Sequence, residues 1–135
     1  MEKFEKFMLL TTIILLIILG LIFLPKSKNT SRLNVYETKR GEMGAVTVEI
    51  TPLNSTEYEV VFNTHSVELD FDFTKIIKLE DNLENIYDAK TWSGGRGGHH
   101  LQGEIVFPDI NTEAQDVTIT ISGIENKLLS FEWVL

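Results

Sequence analysis

Two contrasting patterns of hydrophobic and polar residues divide the chain at Pro25. From Phe7 to Leu24 the sequence reads FMLLTTIILLIILGLIFL, eighteen residues without a charge. As an α-helix with a rise of about 1.5 Å per residue, this run would be roughly 27 Å long, which is close to the ~30 Å hydrocarbon thickness of a bilayer. The pattern predicts a transmembrane helix over residues 7–24, preceded by a short flank at residues 1–6.

A cleaved signal peptide is the alternative interpretation of the same run. Signal peptides have an apolar core of about 7 to 15 residues, followed by a cleavage site with small residues. Here the run is longer, and it ends in Phe23-Leu24-Pro25-Lys26 without a pair of small residues. We therefore predict a retained single-span anchor that contacts the lipid bilayer through residues 7–24.

The charges that flank this anchor do not set its orientation. Basic residues stand close to both ends of the run, so the positive-inside rule favours neither side. A short N-terminal anchor ahead of a compact domain is the usual layout of a surface protein, and Asn29 and Asn54 match the N-glycosylation acceptor pattern. We predict a cell-membrane protein whose C-terminal domain lies outside the cytoplasm. A domain that faces the cytoplasm is the alternative.

After a polar tether at residues 25–33, apolar and polar residues begin to alternate. Val67–Phe73 (VELDFDF) is the clearest case, and Ala45–Thr51 and Glu57–Asn63 alternate in the same way. Strict alternation indicates half-buried β-strands. Shorter strands are predicted at Asn34–Lys39, Ile76–Leu79, Ile86–Ala89, Glu104–Phe107, Val117–Ile121 and Leu129–Leu135.

The fold class predicted from these strands is all-β. No stretch after Pro25 has a helical period, and turn residues separate about eight short strands. This organisation is typical of an antiparallel β-sandwich, immunoglobulin-like in general build, which we place at residues 34–135. A closed barrel is the alternative. Trp133 and the other inward residues are expected to fill a core between two sheets.

Composition and charge exclude several classes of function. The chain has 20 acidic and 12 basic residues, a net charge of −8, and the residues after the predicted span carry all of it. An acidic domain lacks the basic patch that nucleic-acid binding requires. Cysteine is absent, so disulfides, thiolate metal sites and thiol nucleophiles are excluded. No HExxH or GxSxG motif occurs, and we predict neither catalysis nor a cofactor.

The stretch TWSGGRGGHH, residues 91–100, contains four of the nine glycines and two of the three histidines. Glycine permits positive φ and close backbone approach, so the stretch predicts a wide connection between two strands. Trp92 is expected to pack beneath this loop with its indole N–H bonded to a carbonyl, or else to form an exposed anchor for a partner. Arg96 is expected to pair with a carboxylate or to contact an anionic partner.

Three histidines, His65, His99 and His100, form a candidate metal site, because imidazoles are suitable ligands for copper and zinc. Neighbours on a strand point to opposite faces, so His99 and His100 could both ligate only from an irregular loop. The other interpretation is structural: one histidine bonds backbone carbonyls to pin the loop, and the other is solvated.

An acidic stripe, Glu68, Asp70 and Asp72, follows the polar face of the predicted strand at Val67–Phe73. We expect a solvated strand face that opposes edge-to-edge aggregation. Calcium is the alternative if a neighbouring strand supplies further oxygens.

Four short motifs complete the pattern: NTHSVxL at residues 63–69, WxGGxGGHH at residues 92–100, GxxxFP at residues 103–108 and the closing FxW. Together they resemble a family of small, membrane-tethered or secreted β-domain proteins of bacteria and archaea. The resemblance covers roughly residues 46–135. No activity is established for that family, so the resemblance implies the β-domain and no mechanism.

The leading functional prediction is a non-catalytic, membrane-anchored, extracytoplasmic binding or assembly module with an unknown protein partner. Its partner surface would include the glycine-rich stretch with Trp92 and Arg96. The alternative is a surface metal-binding domain for copper or zinc, which would use His65 with His99 or His100.

Overall fold

The computed structural model describes residues 1, 4–5 and 37–135. By compactness the chain separates into two units, Met1–Leu33 and Asn34–Leu135. Within the described residues, no helix has the length and apolar character needed to cross a membrane. The predicted transmembrane helix at residues 7–24 and the predicted tether at residues 25–33 lie outside the described residues.

Residues 37–135, which we call the β-domain, contain nine strands and one short helix. The strands are β1 (Lys39–Met43), β2 (Val46–Pro52), β3 (Glu57–Asn63), β4 (Ile77–Asp81), β5 (Ile86–Asp88), β6 (Thr91–Trp92), β7 (His100–Val106), β8 (Asp116–Ile124) and β9 (Lys127–Val134). The helix, α1 (Phe73–Ile76), lies between β3 and β4.

The strands form two antiparallel sheets. The five-stranded sheet has the order β1-β2-β3-β7-β6, and the four-stranded sheet has the order β5-β4-β8-β9. The prediction of an all-β domain with two antiparallel sheets, as in a β-sandwich, is confirmed. No hydrogen-bonded ladder joins the two sheets within residues 37–135, so the closed-barrel alternative is not observed there.

The core lies between the two sheets and follows from the alternation within each strand. In β2 every second residue is buried, starting with the first residue of the strand. In β3 every second residue is also buried, starting with the second residue. Trp133 on β9 is only 5% exposed, as expected. Burying one large apolar side chain contributes about 1.5–3 kcal/mol, so the core is the main source of stability. Its largest members with almost no exposed surface include Tyr58, Phe62, Phe73, Ile50, Leu69, Ile77, Leu79, Ile105, Ile119 and Ile121.

The strand predicted at Val67–Phe73 is wrong. Residues 64–72 form no strand, and Phe73 begins α1, in which the amides of Lys75 and Ile76 donate to the carbonyl of Asp72. The predicted inward positions are buried at Leu69 and Phe73 but only half-buried at Val67 and Phe71. An extended segment alternates its side chains whether or not a neighbouring strand pairs with it. The sequence pattern therefore indicates that the chain is extended. Whether a hydrogen-bonded ladder forms depends on a neighbouring strand.

Three further differences concern the bounds of short or interrupted strands. β6 has two residues and was not predicted, since alternation cannot be read from so short a strand. β7 begins at His100, four residues before the predicted Glu104. The predicted strand begins too late because Gly103 interrupts the apolar pattern. β1 begins only at Lys39, and residues 34–36 of the strand predicted there lie outside the described residues.

Candidate functional site

Four connections meet at one end of the β-domain, which we call the loop end. They are the β1–β2 turn at residues 44–45, the crossover segment at residues 64–72, the glycine loop at residues 93–99 and the β8–β9 turn at residues 125–126. The strand register places them together. Asn63 at the end of β3 pairs with His100 at the start of β7, and the amide of Ala45 donates to Glu125 Oε2 at 2.7 Å.

The glycine loop and the crossover segment pair through their backbones. The amide of Leu69 donates to the carbonyl of Gly98 at 3.0 Å, and the carbonyl of Leu69 accepts from the amide of Gly97 at 3.0 Å. A third bond runs from the amide of Thr64 to the carbonyl of His99 at 2.9 Å. These bonds satisfy backbone groups that two separate loops would leave to water.

Two carboxylates of the acidic stripe reinforce this pairing. Glu68 Oε1 accepts from the amide of Gly98 at 2.5 Å, and Asp70 Oδ1 accepts from Arg96 Nε at 2.9 Å. The expectation of a solvated strand face is therefore wrong for both residues. They are exposed to solvent, but each carboxylate holds the glycine loop, and neither lies on a strand.

The third carboxylate of the stripe, Asp72, stabilises the start of α1. Its Oδ1 accepts from the Thr74 hydroxyl at 2.6 Å, and its Oδ2 lies 3.1 Å from Lys75 Nζ. The hydrogen bond from Thr74, together with Lys75, lowers the pKa of Asp72 below its ordinary value. The carboxylate is therefore ionised at neutral pH.

Glycine is required in this region for two separate reasons. Gly97 and Gly98 adopt φ values of 86° and 83°, which cost a residue with a side chain roughly 1–2 kcal/mol each. Gly94 instead packs directly on Gly103 of β7, where an added Cβ on Gly103 would lie 2.3 Å from the Gly94 nitrogen. The prediction that these glycines serve backbone conformation and close approach is confirmed.

Trp92 packs beneath the glycine loop, as expected. Its indole Nε1 donates to the carbonyl of Gly95 at 2.7 Å. Its ring centroid lies 5.0 Å from that of Phe73 and 6.2 Å from that of Phe62. The half-buried tryptophan therefore connects the loop to the aromatic part of the core.

Arg96 projects from the loop, with 58% of its side chain exposed. It pairs with a carboxylate, Asp70, which is one of its two predicted roles. That bond uses Nε, so the two terminal nitrogens remain available as donors. A guanidinium presents five N–H groups in a planar fork that suits carboxylate and other planar acceptors.

A cleft of about 300 Å³ opens between the glycine loop and the start of α1. Aromatic, charged and hydroxyl side chains all contribute to its lining. Its lining residues are Phe71, Asp72, Phe73, Thr74, Trp92, Gly95 and Arg96. The two residues predicted for a partner-binding loop, Trp92 and Arg96, thus share one cleft, and the structure adds Phe71 from the crossover segment.

The three histidines are divided between two positions. The rings of His65 and His100 lie 6.0 Å apart, centroid to centroid, and Nδ1 of His100 donates to Asn63 Oδ1 at 2.8 Å. His99 instead donates from Nδ1 to the carbonyl of Val67 at 3.1 Å, which pins the loop to the crossover segment. In the part of the chain that the structure describes, no three or more Asp, Glu, His or Cys residues are grouped to hold a metal ion. The metal site at His65, His99 and His100 stays a prediction.

A second polar cluster surrounds the buried carboxylate of Asp81, at the β4–β5 turn. It accepts from the amides of Leu83 and Asn85, from the side chain of Asn85 and from the Tyr87 hydroxyl at 2.8 Å. Burial acts to raise the pKa of Asp81, but these hydrogen bonds together outweigh it and leave the pKa below its ordinary value. Tyr87 in turn accepts from the amide of Asn111 at 3.0 Å, and burial raises its pKa. Because all these bonds are internal, we interpret the cluster as structural.

Comparison with known proteins gives no match: no family model, no curated protein and no solved structure is significantly similar to the chain. The resemblance drawn from the four motifs therefore stays a prediction.

The contact between Gly94 and Gly103 predicts a difference between two glycine-to-alanine variants. Gly103→Ala would force the loop away from β7 and is expected to cost about 3 kcal/mol of unfolding free energy. Gly95→Ala, with φ of 75° and no atom within 4 Å of the added Cβ, is expected to cost only about 1 kcal/mol. Urea titration followed by tryptophan fluorescence measures both, and an equal or reversed order would contradict the close approach.

The buried Asp81 carboxylate predicts a pH-dependent effect of Asp81→Asn. Because the folded pKa lies below the unfolded value of about 3.9, its stabilisation is fully present above that value. It is lost as the pH falls through the folded pKa. We expect the variant to lower the melting temperature by at least about 5 °C at pH 7 and by progressively less below pH ~4. Exposed Asp109→Asn is the control, and a deficit that stays constant down to pH ~2 would refute this account.

Proposed function

We propose that this chain is a membrane-anchored binding module without catalytic activity, and that it holds a protein partner at the loop end. The observation that carries the proposal is the cleft beside the glycine loop. There Phe71 and Trp92 provide aromatic surface, and Arg96 offers unbonded terminal N–H groups. Aromatic residues and arginine are enriched at the centres of protein interfaces and contribute most of their binding energy.

The bonding around the cleft supports this proposal, because it fixes the shape of the loop in the free protein. Leu69 pairs with Gly97 and Gly98 through the backbone, and Trp92 holds Gly95 from beneath. A surface that is already ordered loses less conformational entropy when a partner binds. A wide loop with four glycines would otherwise be a poor binding surface.

We also propose an immunoglobulin-like build for the β-domain, which the strand order supports. With β2, β3, β7 and β6 as strands A, B, E and D, and with β5, β4, β8 and β9 as C′, C, F and G, both sheets follow the order of that fold. β1 is then an additional strand beside A. The crossover segment and the β8–β9 turn correspond to the B–C and F–G connections, which form part of the antigen-binding end in variable domains. This fold-level analogy favours the loop end as the binding surface.

We propose further that residues 7–24 anchor the chain in the cell membrane and that the β-domain lies outside the cytoplasm. The uncharged run of eighteen residues supports the anchor. Within the β-domain, the backbone carbonyl of Glu37 accepts a hydrogen bond from Trp133 Nε1 at 2.8 Å. Glu37 precedes Lys39, which pairs with Ile50 at the end of the sheet opposite the loop end. Within the β-domain, the start of β1 and the loop end therefore lie at opposite ends of the sheet.

Substitution of Arg96 tests the partner surface. Arg96→Ala in the tagged full-length chain is expected to reduce co-purification of the partner at least about tenfold. Arg40→Ala is the matched control, because Arg40 makes the same kind of exposed ion pair, to Glu49 at 3.1 Å on the outer face of the sheet. Neither change should alter the melting temperature much, since exposed pairs contribute about 0–1 kcal/mol. Equal partner recovery from both variants would remove Arg96 from the interface.

Trypsin accessibility tests the anchor and its orientation. Lys26, Lys28 and Arg32 in the predicted tether provide cleavage sites. Trypsin added to intact cells is expected to release a fragment that contains the β-domain. Cleavage only after lysis would place the domain on the cytoplasmic side, and recovery of the uncleaved chain from the soluble fraction would exclude the anchor.

A second candidate function is copper or zinc binding at His65 and His100, which the 6.0 Å separation of their rings favours. Asn63 occupies Nδ1 of His100, which orients the ring and leaves Nε2 as a ligand. Calorimetric titration of the full-length chain with zinc chloride is expected to lose its signal in His100→Ala and to retain it in His99→Ala. No binding at micromolar zinc, or identical behaviour of the two variants, would exclude this site.

A further inference from the structure

A second opening lies away from the loop end, along the outer edge of β5. It is an open groove of about 720 Å³ between the β4–β5 hairpin and the segment that follows β7. The residues that line it are Glu84, Asn85, Ile86, Tyr87, Asp109, Ile110 and Asn111. The turn from Asp81 to Asn85 lies at the opposite end of the domain from the glycine loop, because β4 starts beside the loop end and runs away from it.

The backbone of β5 is unpaired along this groove. The amide of Asp81 donates to the carbonyl of Asn85. From this hydrogen-bonded pair onward, the residue pairs of the antiparallel ladder alternate between non-hydrogen-bonded and hydrogen-bonded. Tyr87 then bonds to Leu79, and the main-chain groups of Ile86 and Asp88 point away from β4. β5 is an edge strand, and such outward groups are a template for pairing with another chain.

The hairpin beside this edge exposes two large apolar side chains among polar ones. Ile86 is 67% exposed and Leu83 is 44% exposed. They are two of the five exposed large hydrophobic residues in residues 37–135, and they lie in one short hairpin. The internal bonds of Asp81 and Tyr87 hold this hairpin in place. The edge therefore combines exposed apolar side chains with a hairpin that internal hydrogen bonds hold in place.

The charges around the groove indicate the sign of the charge that an occupant would carry. Glu84 and Asp109 line it, and none of its lining residues is basic. Residues 37–135 contain eighteen acidic and only seven basic residues, so the field of the domain attracts cations. A second copy of this acidic chain would bring like charges together, which costs binding energy.

We propose that the β5 edge is a docking site for an extended basic segment of another protein, one in which Lys or Arg alternates with apolar residues. The segment adds as a strand to Ile86–Asp88. One face of it places apolar side chains against Ile86 and Ile110, and its cations lie near Glu84 and Asp109. This surface is independent of the cleft at the loop end.

Titration with defined peptides tests this proposal. The probe is an acetylated seven-residue peptide of alternating lysine and valine, added to the ¹⁵N-labelled full-length chain in a non-ionic detergent. We expect saturable amide shifts centred on Ile86, Tyr87 and Asp88. A glutamate–valine peptide, and a lysine–valine peptide with alternate N-methyl groups, are expected to bind at least about tenfold more weakly.

Two double variants with equal changes in net charge separate local recognition from the general field. Glu84→Lys with Asp109→Lys is expected to lower the affinity for the lysine–valine peptide at least about tenfold. Glu42→Lys with Glu132→Lys, on β1 and β9, is expected to change this affinity less than about threefold. Equal weakening by both pairs, shifts centred elsewhere, or undiminished binding of the N-methylated peptide would overturn the proposal. Self-association of the free chain that Ile86→Lys abolishes would place a second copy at the edge and overturn it as well.

Discussion

The backbone pairing between Leu69 and the two glycines Gly97 and Gly98 determines the form of the loop end. Neither partner is a regular strand. The crossover segment passes from one sheet to the other, and the glycine loop joins β6 to β7. Each segment alone would leave its amides and carbonyls without protein partners, and together they satisfy one another at 3.0 Å. The cleft, the position of Trp92 and the placement of Arg96 all depend on this contact.

Side chains on both segments make the pairing specific. Glu68 and Asp70 reach from the crossover segment to the glycine loop, and His99 reaches back to the carbonyl of Val67. These side chains are exposed, so each contributes modestly, but they act on a backbone that is already in register. Phe73 below the loop joins the same unit to the core through its ring contact with Trp92. The sequence motifs around residues 63–69 and 92–100 are therefore two halves of one structural element.

Much of the fold could be predicted from the sequence, because burial between two sheets imposes alternation. β3 was predicted with its observed bounds, and Trp133 is in the core as expected. The error at Val67–Phe73 shows the limit: alternation reports an extended, half-buried chain, and only the partner decides whether a ladder forms. Long-range pairing of this kind, about thirty residues apart, leaves no local signal.

The candidate site was predictable only in part, for the same reason. The glycine run and Trp92 indicated a loop that closes over an aromatic core. Phe71 belongs to the strand predicted at Val67–Phe73, and nothing in the sequence places it beside Trp92 in a cleft. Asp81 was missed because, in the sequence, a buried carboxylate in a turn resembles any other turn aspartate. That His65 lies near His100 while His99 turns away depends on the register of β3 and β7.

The most direct measurement of the central contact is amide hydrogen exchange, residue by residue, on the full-length chain. If the crossover segment and the glycine loop form one paired unit in the free protein, the amides of Leu69, Gly97 and Gly98 exchange slowly, within about tenfold of the rate at Val60 in the central strand β3. Exchange of these three amides at the rate of an unstructured peptide, while Val60 stays protected, would contradict a loop end that is ordered before any partner binds.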